Sequence, residues 1–254
     1  MRRTVVALLL ALSSVSACAD DPAAPDATTP PPDDAAVTLS YDFEEGSDGW
    51  ASEVTDHTAA TRPQDVVSRT GVSPPGLDAG TDFFHLAASN PSDDVFLYLF
   101  REVTDAGLHG GRSYDAAFTV AFASDAPTGC AGIGGAPGEA VYLKVGATAD
   151  QPVPVTTDGD SRLSVDKGGQ SQGGTAAVVA GTIDNGIPCE QALESDQAPY
   201  AMVTRTGTVE DVTVAEDGSL WLFVGTDSGF EGRTSIYYDR IEVTLTPAAG
   251  DITG

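Results

Sequence analysis

Serine, histidine and cysteine carry much of protein nucleophilic chemistry, and this chain holds few promising arrangements of them. Gly169-Gln170-Ser171-Gln172-Gly173 matches the Gly-x-Ser-x-Gly pattern, in which a sharp strand-to-helix turn exposes a serine nucleophile. Its flanks are polar and Gly-rich, though, and His57, His85 and His109 all precede Ser171, whereas the histidine partner of that turn should follow it. The match reads as chance. The histidines also lack the spacing of a zinc-binding HExxH helix. Gly132-Ile133-Gly134-Gly135 is too short and wrongly placed for a dinucleotide loop, and no Gly-Lys-Ser/Thr phosphate loop occurs. A glycosidase needs two carboxylates at a set separation in space, which sequence spacing does not fix. The expectation is a protein without a catalytic site.

Binding chemistry has better candidates. Residues 165–174 are almost free of apolar side chains, and Asp166, Lys167, Gln170 and Gln172 can hydrogen-bond a polar ligand. A mobile, solvated loop has the same composition, so both readings stand. Trp221 and Phe223 share a face opposite Leu220, Leu222 and Val224. If the leucine face is core, the aromatic face lies outward and offers flat rings to the apolar side of a sugar; the alternative is that both faces are buried. Trp50, directly after Gly49, reads as core, and Tyr237 and Phe230 read as rim residues.

The cysteines supply an address. Met1-Arg2-Arg3, an apolar run over residues 4–12 and small residues up to Ala17 form a secretory signal, too short to span a bilayer. Val15-Ser16-Ala17-Cys18 closes it and resembles the lipobox of bacterial lipoproteins. That resemblance implies cleavage before Cys18 and acylation of its sulfur and new amine, and several chains anchor stably where one does not. The expected location is the cell envelope, extracytoplasmic, at the outer membrane or cell surface. Cys130 and Cys189 then remain in an oxidising compartment and are expected to pair.

The elements that position these residues follow from composition and periodicity. Twelve Lys and Arg against 38 Asp and Glu give a net charge of −26, which repels phosphate backbones and makes nucleic acid an unsuitable partner. Residues 18–36, the expected lipidated cysteine and tether, are dominated by Ala, Asp, Pro and Thr and cannot bury enough to order themselves. From Val37 onward, period-2 alternation predicts strands at 37–43, 95–100, 114–123, 140–145, 176–180, 200–206, 209–214, 220–224 and 236–246, separated by Gly, Pro, Asp and Asn turns. Many short strands and no long helical period predict one all-β domain over 37–254, a β-sandwich of jelly-roll type.

The two ends of that domain carry a second resemblance. Phe43-Glu44-Glu45-Gly46-Ser47-Asp48-Gly49-Trp50 follows the first strand, and Tyr237-Tyr238-Asp239-Arg240-Ile241 opens the last. The pair resembles calcium-bearing jelly rolls of carbohydrate-binding modules and galactose-binding-like domains. The resemblance implies a structural Ca²⁺ held by Glu44 and Asp239. Asp239 also falls in alternation with Ile241, Val243 and Leu245, so a core-edge carboxylate is expected there, needing a cation or strong donors. Backbone N–H groups, Arg240 or Arg233 are the other donors available. Two functions follow: a membrane-tethered binding module, for carbohydrate first, or a structural or protein-interaction lipoprotein of the envelope.

Overall fold

Leu220, Leu222 and Val224 alternate with Trp221 and Phe223, and the strand they build is buried on both sides. Two packed layers and an outer cover are needed to achieve that, and the computed structural model, which describes residues 35–249, has both. The elements are β1 (Val37–Tyr41), β2 (Ala51–Thr55), β3 (His57–Thr58), β4 (Gln64–Val72), β5 (Phe83–Ser89), β6 (Val95–Val103), β7 (Ser113–Ser124), β8 (Val141–Thr148), β9 (Pro154–Thr157), β10 (Asp160–Leu163), β11 (Ala177–Thr182), a single turn α1 (Cys189–Ala192), β12 (Ala201–Thr213), β13 (Leu220–Ser228) and β14 (Arg233–Pro247). The signal segment, Cys18 and the tether up to residue 34 lie outside the described residues.

The fold is an all-β sandwich of jelly-roll type. The first sheet runs β12-β7-β14-β5-β4, and the second runs β11-β8-β13-β6-β2. The 15-residue β14 organises the first sheet: β7 flanks one side, while β5 and then β1 share the other. Between the sheets, Phe118, Val120, Phe122, Ile241, Val243 and Leu245 meet Leu97, Leu99, Leu143, Val145, Leu222 and Val224 in one continuous core. Trp50 belongs to it too, edge-on to Tyr41. Cys130 and Cys189 are disulfide-bonded and fasten the 125–140 connection to α1. In the loop-entropy picture a closure of this length stabilises the fold by roughly 4 kcal/mol.

Three departures from periodicity have local causes. Residues 200–206 and 209–214 are not two strands but one, β12, whose pairing with β7 shifts between Val209 and Val212, with Asp211 in the left-handed region at φ 55°. β5 (FFHLAAS) is buried on both faces and therefore shows no alternation to read. Most consequentially, β14 carries a bulge between Tyr238 and Arg240. Tyr238 and Ile241 both face the core across it, so the alternation changes phase and Asp239 is not on the core face with Ile241, Val243 and Leu245. Asp239 is instead half-buried and accepts a hydrogen bond from Thr81 Oγ1 at 3.1 Å. Tyr237, expected at a rim, is buried under the outer face of the first sheet, stacked on His85 at 3.9 Å.

Candidate binding site

The outer face of the second sheet is apolar. Phe96, Tyr98 and Phe100 of β6 and Trp221 and Phe223 of β13 project from it, and glycine is required at position 146, where a Cβ would lie 2.1 Å from the Phe223 ring. Such a surface must be covered. The segment from 149 to 176 covers it, carrying β9 and β10, which pair with β3 in a three-stranded sheet, and Leu163, Val165 and Ala176 with Ala177 of β11 close over Phe96, Tyr98 and Phe223. The cover is mostly backbone, however, and its inward carbonyls need donors.

Two lysines supply the connection. Lys144 alternates with core residues Leu143 and Val145 on β8, so its stem rises through the aromatic layer. Its ammonium donates to the carbonyls of Lys167 (2.8 Å), Gln172 (2.7 Å) and Gly169. Lys167 points the opposite way, from the loop into the sheet. Its Nζ lies 2.5 Å from Asp227 Oδ2 on β13 and 2.7 Å from Asp56 Oδ2 just beyond β2. Asp56 is itself fixed, its N–H donating to Ser161 O on β10 at 2.8 Å. Lys144 and Asp227 have fully buried side chains, 3.4 Å apart.

Burial dominates the electrostatics. It pushes the Asp227 carboxyl above the usual range despite Lys167 and Lys144, and it pulls the Lys144 ammonium down, with Asp227 opposing. Burial works against the Lys167 ammonium as well, but Asp227 and Asp56 outweigh it. One oxygen of Asp227, Oδ1, is buried with no hydrogen-bond partner. Asp56, Asp94 and Asp227 bring carboxylate oxygens within 4.8 Å of one another, close enough to suit a metal. The Lys167 ammonium contacts two of the three and Arg162 contacts Asp94, so cationic side chains already serve this group.

Above the network opens a polar cleft of about 460 Å³, lined by Asp56, Asp93, Asp94, Arg162, Lys167 and residues 168–172. Arg162 spans its wall, 2.7 Å from Asp94, 2.9 Å from Asp160 and 3.7 Å from Asp56, and its side chain is 54% exposed. Gln170 Nε2 donates to the carbonyl of Asp93 across the cleft. Beside the cleft, Asp166 accepts from the N–H groups of Gly168 and Thr175, both at 3.0 Å, and from Thr175 Oγ1; these bonds hold its carboxyl below the usual range. The segment is therefore tied to itself and to the sheet at several points.

The structure brings Lys167, Gln170 and Gln172 to one cleft with Asp166 at its flank. It keeps Trp221 apart: six residues separate it from Asp227 along β13, roughly 20 Å at strand rise. Phe223 has no exposed surface and offers no stacking face, because the cover lies directly upon it. Trp221 is half-buried beside Phe100, ring centroids 6.1 Å apart. Phe230 packs partly buried against the main core. Glu44 is exposed in the turn after β1, where Asp48 Oδ2 accepts the N–H groups of Asp42 and Phe43. Periodicity missed Lys144, Asp227, Asp56 and Arg162. A signal was present for one of them: Lys144 is a lone charge between apolar residues of β8, whereas Asp227 lies between Thr226 and Ser228 at the polar end of β13.

No family model and no curated protein sequence matches the chain. Several solved structures resemble the chain at low identity, with TM-scores below 0.5. One is a carbohydrate-binding module of the β-sandwich superfamily, 13% identical over 80% of this chain and 60% of that one, with a TM-score of 0.35. The C-terminal family 22 carbohydrate-binding module of Clostridium thermocellum Xyn10B is 14% identical over 85% and 95% of the two chains, with a TM-score of 0.36. A Stig cyclase from Fischerella sp. TAU is 13% identical over 84% and 100%, with a TM-score of 0.40.

Breaking a buried charge network by removing one partner costs far more than losing a surface pair. Lys144→Met should therefore destabilise the protein by on the order of 3 kcal/mol in denaturant unfolding. Arg162→Ala, at a half-exposed position, should cost about 1 kcal/mol or less. Equal small losses for both would mean that the loop carbonyls do not depend on the Lys144 ammonium.

Proposed function

We propose that the chain is a non-catalytic, extracytoplasmic binding protein, held at a membrane surface by lipid on Cys18, whose sandwich takes a polyhydroxylated ligand, carbohydrate first, in the cleft beside Arg162. The observation that carries this reading is the cleft itself. It is open, walled by carboxylates, a guanidinium and amides, and its floor is fixed by buried ion pairs. Vicinal hydroxyls both donate and accept, so they suit a wall that offers acceptors at Asp93 and Asp94 and donors at Arg162 and Gln170. A pre-ordered wall loses little entropy on binding. The half-exposed Trp221 edge, on the same face of the sandwich, is a second contact for an extended ligand.

A screen of the full chain against a glycan array, followed by calorimetry, tests this reading. Arg162→Ala should weaken binding about tenfold or more, equivalent to roughly 1.4 kcal/mol, while lowering the melting temperature by no more than about 4 °C. Trp221→Ala should weaken only longer oligosaccharides. A silent array with co-purifying envelope proteins would favour the interaction lipoprotein instead.

The anchor makes its own prediction. An acyl-chain probe should label the wild type in cells but not Cys18→Ser, and equal labelling of the two would remove the lipid from this proposal.

Calcium at Glu44 and Asp239 remains part of the proposal. The β1–β14 register ends at Tyr41 opposite Ile241, so Glu44 lies three residues beyond, and Asp239 two residues before, the last paired positions of the first and last strands. An ion there would tie the first strand to the last and would draw its other ligands from loop carbonyls and water. Chelation should then lower the melting temperature, with about 2.7 kcal/mol at stake when free Ca²⁺ is about 100 times its Kd. Asp239→Asn should abolish that response, and a flat response in the wild type ends the calcium reading.

A further inference from the structure

We propose that Lys167 and Asp227 become joined by an intramolecular isopeptide bond, formed by the protein on itself with Asp56 as the proton carrier. The geometry assembles the three parts such a condensation needs. The nucleophile, Lys167 Nζ, is 2.5 Å from Asp227 Oδ2, the carboxyl that would be attacked, and 2.7 Å from Asp56 Oδ2. The side chains are 9%, 0% and 3% exposed, so water is nearly excluded. Phe96 forms an apolar wall with its ring centroid 5.0 Å from Nζ, and Tyr98 and Phe223 pack against Phe96.

Each feature bears on the chemistry. A buried ammonium–carboxylate pair pays desolvation on both ions, and transfer of the proton to give amine and acid removes that cost. Burial shifts Asp227 toward its protonated form, and the orphaned Oδ1 has no donor to stabilise a negative charge. Asp227 and Asp56 oppose deprotonation of Lys167, so the reactive amine is a minor population. Held proximity compensates: effective concentrations in well-oriented intramolecular reactions reach on the order of 10⁵ M or more.

The step balances without any outside reagent. Asp56 takes one proton from the Lys167 ammonium and passes it to Asp227, leaving an amine beside an acid. The freed amine attacks Cγ of protonated Asp227, forming the C–N bond. Asp56 takes the second proton from Nζ and delivers it to the departing hydroxyl, water leaves, and Asp56 ends as the carboxylate it began as. Ammonium plus carboxylate thus become one secondary amide and one water, with no change in net charge. Lys144 and Asp56 remain as opposite charges. Lys144 is the worse placed nucleophile, because it stands 3.4 Å from Asp227 and its N–H bonds are directed at three loop carbonyls. The product would lock the loop to the sheet between residues 60 apart in sequence.

Peptide mapping of the folded full chain by mass spectrometry tests the proposal. The expected result is a branched peptide containing both Lys167 and Asp227, lighter by one water than its two parts, and no tryptic cleavage after Lys167. Lys167→Arg and Asp227→Ala should each abolish the branched species. Asp56→Ala should leave the linear peptides intact in a protein whose circular dichroism still reports the sandwich. Recovery of free, cleavable Lys167 from folded wild type would overturn the proposal, whatever the variants do. A bond from Lys144, or one made to Asp56, would overturn this assignment equally, and a bond that survives in Asp56→Ala would overturn the role of Asp56.

Discussion

An apolar sheet face that cannot be left in water governs the second half of this structure. The aromatic layer on β6 and β13 demands a cover, and the cover available is a Gly-rich segment with little apolar surface of its own. Hydrophobic contact through Leu163, Val165, Ala176 and Ala177 is modest, so the segment is held chiefly by charge. Lys144 sends an ammonium up to three loop carbonyls, and Lys167 sends one down to two carboxylates. The exchange satisfies the inward backbone of the loop and the buried acids of the sheet together. Removing Lys144 would strand the loop carbonyls and removing Lys167 would strand the buried acids, so each lysine is needed for its own set.

The rigidity has a chemical consequence. A loop of glycines and glutamines would ordinarily pay a large ordering entropy to meet a ligand. Here that ordering accompanies folding, because carbonyls from the 167–172 stretch are already engaged by Lys144 and its flank is closed by Asp166 and Thr175. What remains exposed above the network is a set of fixed polar groups. The surplus of negative charge along the chain points the same way: the cleft repels phosphates, while Arg162, flanked by three carboxylates, presents little free positive charge. Neutral, hydroxyl-rich ligands suit such a surface better than anions do.

How far the fold could be read from sequence depended on how many faces of each strand are buried. β7 and the second half of β14 bury one face, and their period-2 pattern gave the right strands and the right core residues. β5 buries both faces and β4 almost none, so neither displays alternation. The bulge at Asp239 shows a second limit. Period-2 reasoning assumes an unbroken ladder, and one extra residue moved Asp239 off the face it should have shared with Ile241. The site was legible in half. The polar loop could be seen, but its anchors lie in three distant segments, and only the sheet pairings bring Asp56, Lys144 and Asp227 beneath it.

Those anchors also explain why a polar network persists where apolar residues would pack. A leucine at 144 would complete the aromatic layer but leave the loop carbonyls without donors, and the cover would be free to slide. Hydrophobic contact is non-directional and fixes no register, whereas an ammonium meeting three carbonyls fixes one. The inter-sheet core, made of alternating aliphatic and aromatic residues, tolerates exchange at constant volume. The outer layer does not, because the buried Phe223 ring fills the space that any side chain at position 146 would need. Stability therefore resides mainly between the sheets, and the shape of the cleft is set outside them, so substitutions that alter binding can be separated from those that unfold the sandwich.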